Sequence, residues 1–156
     1  MTERMQYHLV LHGVAVFMIG LVAGFPLAFV ETGVELWGVT LPLIGHWEIP
    51  GSIARWKMTH LEGIINGIMC LAVAGIGARL AMGARLAGFV TVAVIVTAWV
   101  NTVASLSGAL FGGRGLDYGL GTNNDINYNL FIVGIVLVPL AAGAIGFAAW
   151  RRLRAG

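Results

Sequence analysis

Apolar residues gather into four long stretches along the chain, each separated from the next by a shorter and more polar link. Each stretch is close to the roughly 20 residues that an α-helix needs to cross about 30 Å of hydrocarbon. Backbone N–H and C=O groups cannot stay unpaired in lipid, so such stretches form helices rather than open strands. The sequence therefore predicts four membrane-spanning helices, at about His8–Val30, Thr59–Leu80, Leu86–Phe111 and Asn129–Trp150.

The links between these stretches indicate how the helices follow one another. The link Ala81–Arg85 is so short that the second and third helices are predicted to be antiparallel neighbours. The other two links, Glu31–Met58 and Gly112–Tyr128, are longer, and the second of them is rich in Gly and Asn. The predicted fold class is all-α, with residues 1–156 forming a single integral membrane four-helix bundle.

The composition agrees with a membrane protein and excludes other classes. Of the 156 residues, 58% are hydrophobic and 10% are charged, and the mean hydropathy is +0.88, whereas soluble domains carry about 25% charged residues. The net charge of +2 includes no basic stripe long enough to follow a phosphate backbone, so no nucleic-acid partner is expected. The single Cys70 excludes a disulfide framework within one chain. The first apolar stretch exceeds the core of a signal peptide, so it is expected to be retained.

The basic residues predict an orientation in the membrane. With four spans, the two termini and the middle link lie on one side, and that side holds six of the nine basic residues: Arg4, Arg79, Arg85, Arg151, Arg152 and Arg154. Basic loops stay in the cytoplasm, so both termini are predicted to be cytoplasmic. The expected location is the cytoplasmic (inner) membrane of a bacterium, as a multi-pass protein.

The predicted second helix carries informative polar residues, since a polar group at membrane depth is costly unless it has a partner or a role. His60, Gly63 and Gly67 recur at helical spacing on one face. A histidine above two glycines predicts a slot free of side chains, the shape that a flat macrocycle needs beneath an axial ligand. The alternative is a helix-packing face of the GxxxG type. Glu62 and Asn66 lie on the other face, and two faces that avoid lipid indicate oligomerisation.

The first helix carries a pair of histidines. His8 and His12 are four residues apart and share one helical face, and neutral imidazoles in such a pair can ligate Zn, Cu or Fe. The alternative is that they are polar residues at the membrane interface, which we favour for His8. His12 lies one turn deeper, beside Gly13, and is predicted to face the interior of the bundle.

The third helix carries a polar stripe. Thr97, Asn101, Ser105 and Gly108 recur at intervals of three or four residues, so they follow one face of the helix. The stripe is typical either of interhelical hydrogen bonding, worth about 0.6 kcal/mol per bond, or of the polar wall of a substrate cavity. The spacing alone leaves both interpretations open.

Several motifs, found in order along nearly the whole chain, resemble styrene oxide isomerase, a small four-helix membrane enzyme. The motifs are His12-Gly13, Pro50-Gly51-Ser52, Trp56-x3-His60 followed by Asn66-Gly67, and Arg114-Gly115-Leu116-x2-Gly119. The resemblance implies ferric haem b bound between the subunits of a homotrimer. It also implies conversion of an aryl epoxide such as styrene oxide to the aldehyde. That reaction is a Meinwald rearrangement without net redox change, in which iron acts as a Lewis acid on the epoxide oxygen.

The resemblance assigns roles to individual residues. His60 is the implied axial ligand and metal-binding residue, and Asn66 would lie near the substrate on the open face of a haem. The expected partners are a small lipophilic epoxide, membrane lipid and further copies of the chain. The expected catalytic residues are Asn66, Asn101 and Ser105, and the expected cofactor-binding residues are His60, Gly63, Gly67, His12 and Arg114.

This sequence departs from the family pattern in the third helix. The family has an Asp and a Tyr where Thr97 and Ser105 stand, and the Tyr helps to position the epoxide. Ser105 or Asn101 would then donate the hydrogen bond in this chain, so a different substrate, a weaker activity and another role for the haem all stay open. The alternative function is a non-catalytic membrane haem b protein for electron transfer or sensing, with His12 or His8 as a second axial ligand. A membrane scaffold without a cofactor is a further alternative.

Overall fold

The computed structural model describes residues 1–32, 35–36, 39–40, 49–113 and 115–155. Four helices account for most of them, and a pair of two-residue antiparallel strands lies between the first two helices. In chain order, the elements are α1 (Glu3–Thr32), β1 (Glu35–Leu36), β2 (Val39–Thr40), α2 (Ile53–Gly77), α3 (Ala84–Phe111) and α4 (Thr122–Arg154).

All four helices are long and apolar enough to cross a membrane. This confirms the prediction of four spanning helices, and the chain is a multi-pass membrane protein with an all-helical framework. All four helices begin earlier than predicted: α1 at Glu3 rather than His8, α2 at Ile53 rather than Thr59, α3 at Ala84 rather than Leu86 and α4 at Thr122 rather than Asn129. Hydropathy does not detect these first turns, because they are polar and lie where an apolar stretch has not yet begun.

Helices α1 and α2 meet backbone to backbone along a stripe of glycines. A Cβ on Gly63 would overlap the Cα of Gly20, and a Cβ on Gly67 would lie 2.8 Å from the carbonyl oxygen of Gly13. Such close approach requires residues without side chains, which is why membrane helices use small residues at their contacts. The contact places the face of α2 that carries His60 directly against α1.

The four helices do not close into a bundle in which each helix meets two neighbours. Helix α2 packs on α1 and on α3, and α1 also reaches α3, whereas α4 contacts α3 and no other described helix. Because α2 and α4 lie on α3 without touching each other, a groove runs between them, with α3 as its floor. The main core lies among α1, α2 and α3, where its largest fully buried apolar side chains are Leu9, Val16, Cys70, Val90 and Val94.

Candidate functional site

His60 lies on the α1-facing side of α2, with one ring nitrogen held and the other left available. Its Nδ1 lies 2.8 Å from the carbonyl oxygen of Gly20. A carbonyl oxygen only accepts hydrogen bonds, so Nδ1 carries the proton and donates it. In the neutral imidazole the lone pair is then on Nε2, as a metal-ligating histidine requires. Gly24 makes room for the ring, since a Cβ there would lie 3.1 Å from two of its atoms.

The predicted slot beneath His60 is not open. Helix α1 fills it, because Gly63 and Gly67 are buried against the backbones of Gly20 and Gly13. The prediction that these two glycines leave room for a macrocycle is therefore wrong within one chain, and the GxxxG packing interpretation describes this face. A planar group ligated by His60 has to approach from the open side of the ring.

His12 is arranged differently from His60. The indole Nε1 of Trp99 donates a hydrogen bond of 3.1 Å to Nδ1 of His12, so Nδ1 is the acceptor and the ring proton sits on Nε2. Neither nitrogen then offers a free lone pair to a metal ion, so in this arrangement His12 is not an iron ligand, and its role as a cofactor-binding residue stays a prediction. His8 stacks on His12 with ring centroids 6.2 Å apart, and its side chain is exposed.

Asn66 is buried on α2, with 5% of its surface exposed. Its amide nitrogen donates to the carboxylate Oε2 of Glu62 at 2.6 Å and to the backbone oxygen of Glu62 at 2.8 Å. Both N–H donors of the amide are therefore directed at oxygens of its own helix. An epoxide can only accept hydrogen bonds, so in this arrangement Asn66 has no donor left for the predicted contact with the substrate. The two non-lipid faces of α2 also meet α1 and α3 of the same chain, which removes the reason for inferring oligomerisation from α2 alone.

One part of the polar stripe of α3 is packed inside the protein, and another part lines a cavity. Thr97 is buried, and its hydroxyl has no hydrogen-bond partner among the described residues. Asn101 presses its amide against α4, where Gly134 leaves room for it and any Cβ would overlap the amide oxygen. Ser105 lies one turn further along and faces the groove between α2 and α4. The stripe therefore packs against α4 at Asn101 and lines a cavity at Ser105, and the hydroxyls of Thr97 and Ser105 and the amide oxygen of Asn101 make no interhelical hydrogen bond within the described residues.

We call the cavity beside Ser105 the α2–α4 groove, and its volume is about 390 Å³. Arg55 and Met58 of α2 form one wall, Ser105 and Gly108 of α3 form the floor, and Phe131 of α4 forms the other wall. Residues of the α3–α4 loop close one end. This volume lies within the range of about 300–1,000 Å³ that is typical of small-molecule sites. The groove is thus large enough for an aryl ring with a polar substituent.

Asparagines at the start of α4 hold the loop that closes the groove. The side-chain oxygen of Asn124 accepts the backbone N–H of Gly115 at 2.8 Å, and its amide nitrogen donates to the carbonyl of Asp117 at 2.5 Å. Asn123 bonds both to Ser107 of α3 and to the carbonyl of Gly112. These contacts tie the glycine-rich loop to two helices.

Neither these asparagines nor Arg55 and Asn127 were predicted from the sequence as residues of the site. The only signal was the Asn-rich composition of the third link, which does not say which side chains reach back to the loop. The structure also leaves one predicted residue untested, because Arg114 lies outside the described residues.

Two further observations limit what the site can hold. No group of three or more His, Cys, Asp and Glu side chains in the described part of the chain is arranged to hold a metal ion. His60 faces α1, whereas Ser105 faces the α2–α4 groove, so one chain does not bring the predicted ligand and the predicted catalytic hydroxyl together.

Comparison with known proteins identifies one family. A family model described as styrene oxide isomerase matches residues 5–150, which includes all four helices almost completely. No curated protein matches the chain in sequence.

Proposed function

The chain belongs to the styrene oxide isomerase family, and from this membership we propose that it is a membrane isomerase that converts an aryl epoxide such as styrene oxide to the aldehyde by a Meinwald rearrangement. The family match over residues 5–150 is the observation that carries the proposal, since the family name implies isomerase activity. The alternative, a non-catalytic haem protein with two axial histidines, has less support because Trp99 engages the lone pair of His12.

The donor chemistry of His60 fits haem b as the cofactor. Its Nδ1–H donates a hydrogen bond to the carbonyl of Gly20, and such a bond orients a ligating imidazole and raises the basicity of its other nitrogen. The Nε2 lone pair would hold the ferric iron of haem b. When bound, the iron would supply a Lewis acid for the epoxide oxygen, without net redox change.

The residues of the groove support the remaining part of the proposal. Opening an epoxide develops negative charge on its oxygen, and hydrogen-bond donors aimed at that position stabilise the transition state. The hydroxyl of Ser105 has no partner among the described residues, so it is free to donate, and Asn101 lies one turn away on the same face. Apolar side chains such as Met58 and Phe131 exclude water, so the opened epoxide rearranges instead of being hydrated to a diol.

A complete site in this proposal lies between copies of the chain. His60 of one copy and the α2–α4 groove of the next copy would face the same substrate, which fits a homotrimer of the kind that the family resemblance implies. Both termini would lie on the cytoplasmic side of a bacterial inner membrane, and the lipophilic epoxide would enter from the bilayer.

Two measurements on detergent-purified protein test this proposal. We expect a haem Soret band and conversion of styrene oxide to phenylacetaldehyde without added reductant or nicotinamide cofactor. His60→Ala should lose both signals, whereas His8→Ala, which alters an exposed histidine on another helix, should keep both. Full haem content in the His60→Ala protein would refute the ligand assignment. A haem-containing protein that converts none of a series of aryl epoxides would refute the isomerase.

A further inference from the structure

Each polar side chain among the described residues that line the α2–α4 groove can donate a hydrogen bond. Arg55 is the only charged residue among the described residues that line the groove, and Ser52 and Ser105 add two hydroxyl groups. No carboxylate is part of this lining. A lining of this kind favours a ligand that brings acceptor oxygens and a negative charge.

One of these donors is buried without a partner. Only 4% of the surface of Ser105 is exposed, and its Oγ has no hydrogen-bond partner among the described residues. A buried hydroxyl left in this state costs about 1–3 kcal/mol, so its position on the groove floor points to an occupant with a polar atom. Asn127 lies just behind the floor, beside Gly108, with 1% of its surface exposed and no hydrogen-bond partner for either amide atom among the described residues.

Arg55 has most of its hydrogen-bonding capacity left. One guanidinium nitrogen donates to the carbonyl of Gly108 at 3.3 Å, a long bond that places the group at the end of α3. A guanidinium has five N–H donors, and no acidic side chain of the described residues forms an ion pair with it. Arg55 also lies in the first turn of α2, next to Ser52, whose hydroxyl makes no capping bond. The positive end of the α2 dipole therefore adds to the positive charge at this wall.

The remaining walls of the groove are apolar. Met58, Leu116 and Phe131 border the same cavity, so a bound molecule would place an acidic end at Arg55 and an apolar body beside these residues. A volume of about 390 Å³ accommodates a small aromatic acid but not a whole phospholipid.

We propose that the α2–α4 groove binds the carboxylate of a small amphiphilic acid through Arg55, while Ser105 on the floor stays available to the epoxide oxygen. This inference rests on the proposed function, and together with it implies that the preferred epoxide substrate carries an acidic group. Arg55 would thus be a specificity-determining residue, which holds the substrate at the end remote from the reacting bond.

Binding is tested first, without any turnover. Wild-type protein in phosphatidylcholine nanodiscs is titrated with 3-phenylpropanoate by calorimetry, and the neutral 3-phenylpropanamide serves as the comparison ligand. We expect the acid to bind and the amide to bind far more weakly. Arg55→Met should weaken binding of the acid by roughly 10-fold to 100-fold, the value of a hydrogen bond to a charged group. Lys57→Met removes an exposed cation from the same helix and should bind the acid like the wild type.

Two further arms keep the test decisive. Ser105→Ala should fold normally, because its hydroxyl has no partner to lose, and should bind 3-phenylpropanoate like the wild type, because this acid has no epoxide oxygen. In nanodiscs that contain phosphatidylglycerol, binding of 3-phenylpropanoate should persist. Its loss there would identify a lipid phosphate as the occupant and overturn the proposal. Equal binding by wild type, Arg55→Met and Lys57→Met would overturn it as well.

Turnover then links the groove to the substrate. We expect wild-type protein to have a higher kcat/KM for 4-(oxiran-2-yl)benzoate than for styrene oxide, and Arg55→Met to lower the ratio of these two values about tenfold or more. An unchanged ratio would overturn Arg55 as a specificity residue. If neither epoxide is converted while 3-phenylpropanoate still binds through Arg55, the isomerase proposal fails and the carboxylate site stands.

Discussion

The glycine contact between α1 and α2 yields a sharp prediction about stability. In Gly63→Ala the new Cβ would overlap the Cα of Gly20, and it would lie 2.6 Å from the Gly20 nitrogen and 3.1 Å from the carbonyl oxygen of Val16. All three atoms belong to the backbone, so no side chain can turn aside and the two helices must separate. Gly75→Ala on the same helix is the matched control, because a Cβ there meets nothing within 4 Å.

The magnitudes follow from two opposing effects. Replacing Gly by Ala inside a helix stabilises it by about 1 kcal/mol, and this is the only term expected for Gly75→Ala. Overpacking a tight contact costs about 1–3 kcal/mol, and more where the neighbours cannot move. For Gly63→Ala the second effect dominates, so we expect a net loss of about 1–2 kcal/mol. At roughly 2–4 °C per kcal/mol for a chain of this size, the melting temperature should fall by about 2–8 °C.

The assay is thermal unfolding in one detergent at a fixed scan rate, followed by far-UV circular dichroism. Gly63→Ala should melt below the wild type, and Gly75→Ala should melt at or slightly above it. Gly20→Ala should behave like Gly63→Ala, since its Cβ would lie 2.6 Å from the backbone nitrogen of Ile64. If Gly63→Ala melts as high as Gly75→Ala, the two helices do not meet along this stripe, and the explanation of the closed slot is wrong.

Two more substitutions test the contacts around the site. Asn124→Ala should lower the unfolding free energy by about 1–3 kcal/mol, because it leaves the buried backbone N–H of Gly115 unpaired. Asn129→Ala is the control, because it removes an exposed hydrogen bond and should change the unfolding free energy little. Equal effects of the two substitutions in thermal unfolding would contradict this assignment. Trp99→Phe should lower the unfolding free energy by about 1 kcal/mol, because it removes the hydrogen-bond donor to His12. A double-mutant cycle with His12→Leu should give a coupling free energy of similar size, whereas additive effects would refute the hydrogen bond.

The framework of the protein was largely predictable, because hydropathy is a local property of the chain. Each spanning helix consists of consecutive residues, so a window along the sequence detects it without knowledge of its neighbours. The polar first turns were missed for the same reason. Asn123 and Asn124, at the start of α4, bond to α3 and to a loop. A hydropathy window along the sequence contains no information about such distant partners.

The candidate site was predictable only in part. His60 was identified from its spacing to Gly63 and Gly67, but the same spacing fitted both an open slot and a packing face. The choice depended on what lies opposite, and the structure places Gly20 of α1 there. The role of His12 depended in the same way on Trp99, a residue far away along the sequence.

The sequence by itself determined that this protein spans a membrane four times, that it resembles one enzyme family, and that His60 and the α3 stripe deserve testing. Only the tertiary structure decided which ring nitrogen of His60 and of His12 is engaged, which polar side chains already have partners and where a cavity remains. The physical reason is that hydropathy and spacing belong to a single segment, whereas a hydrogen bond or a groove belongs to two or three segments at once. Arg55 illustrates this difference, because it is an ordinary cation at the start of a helix until α3 and α4 place Ser105 and Phe131 beside it.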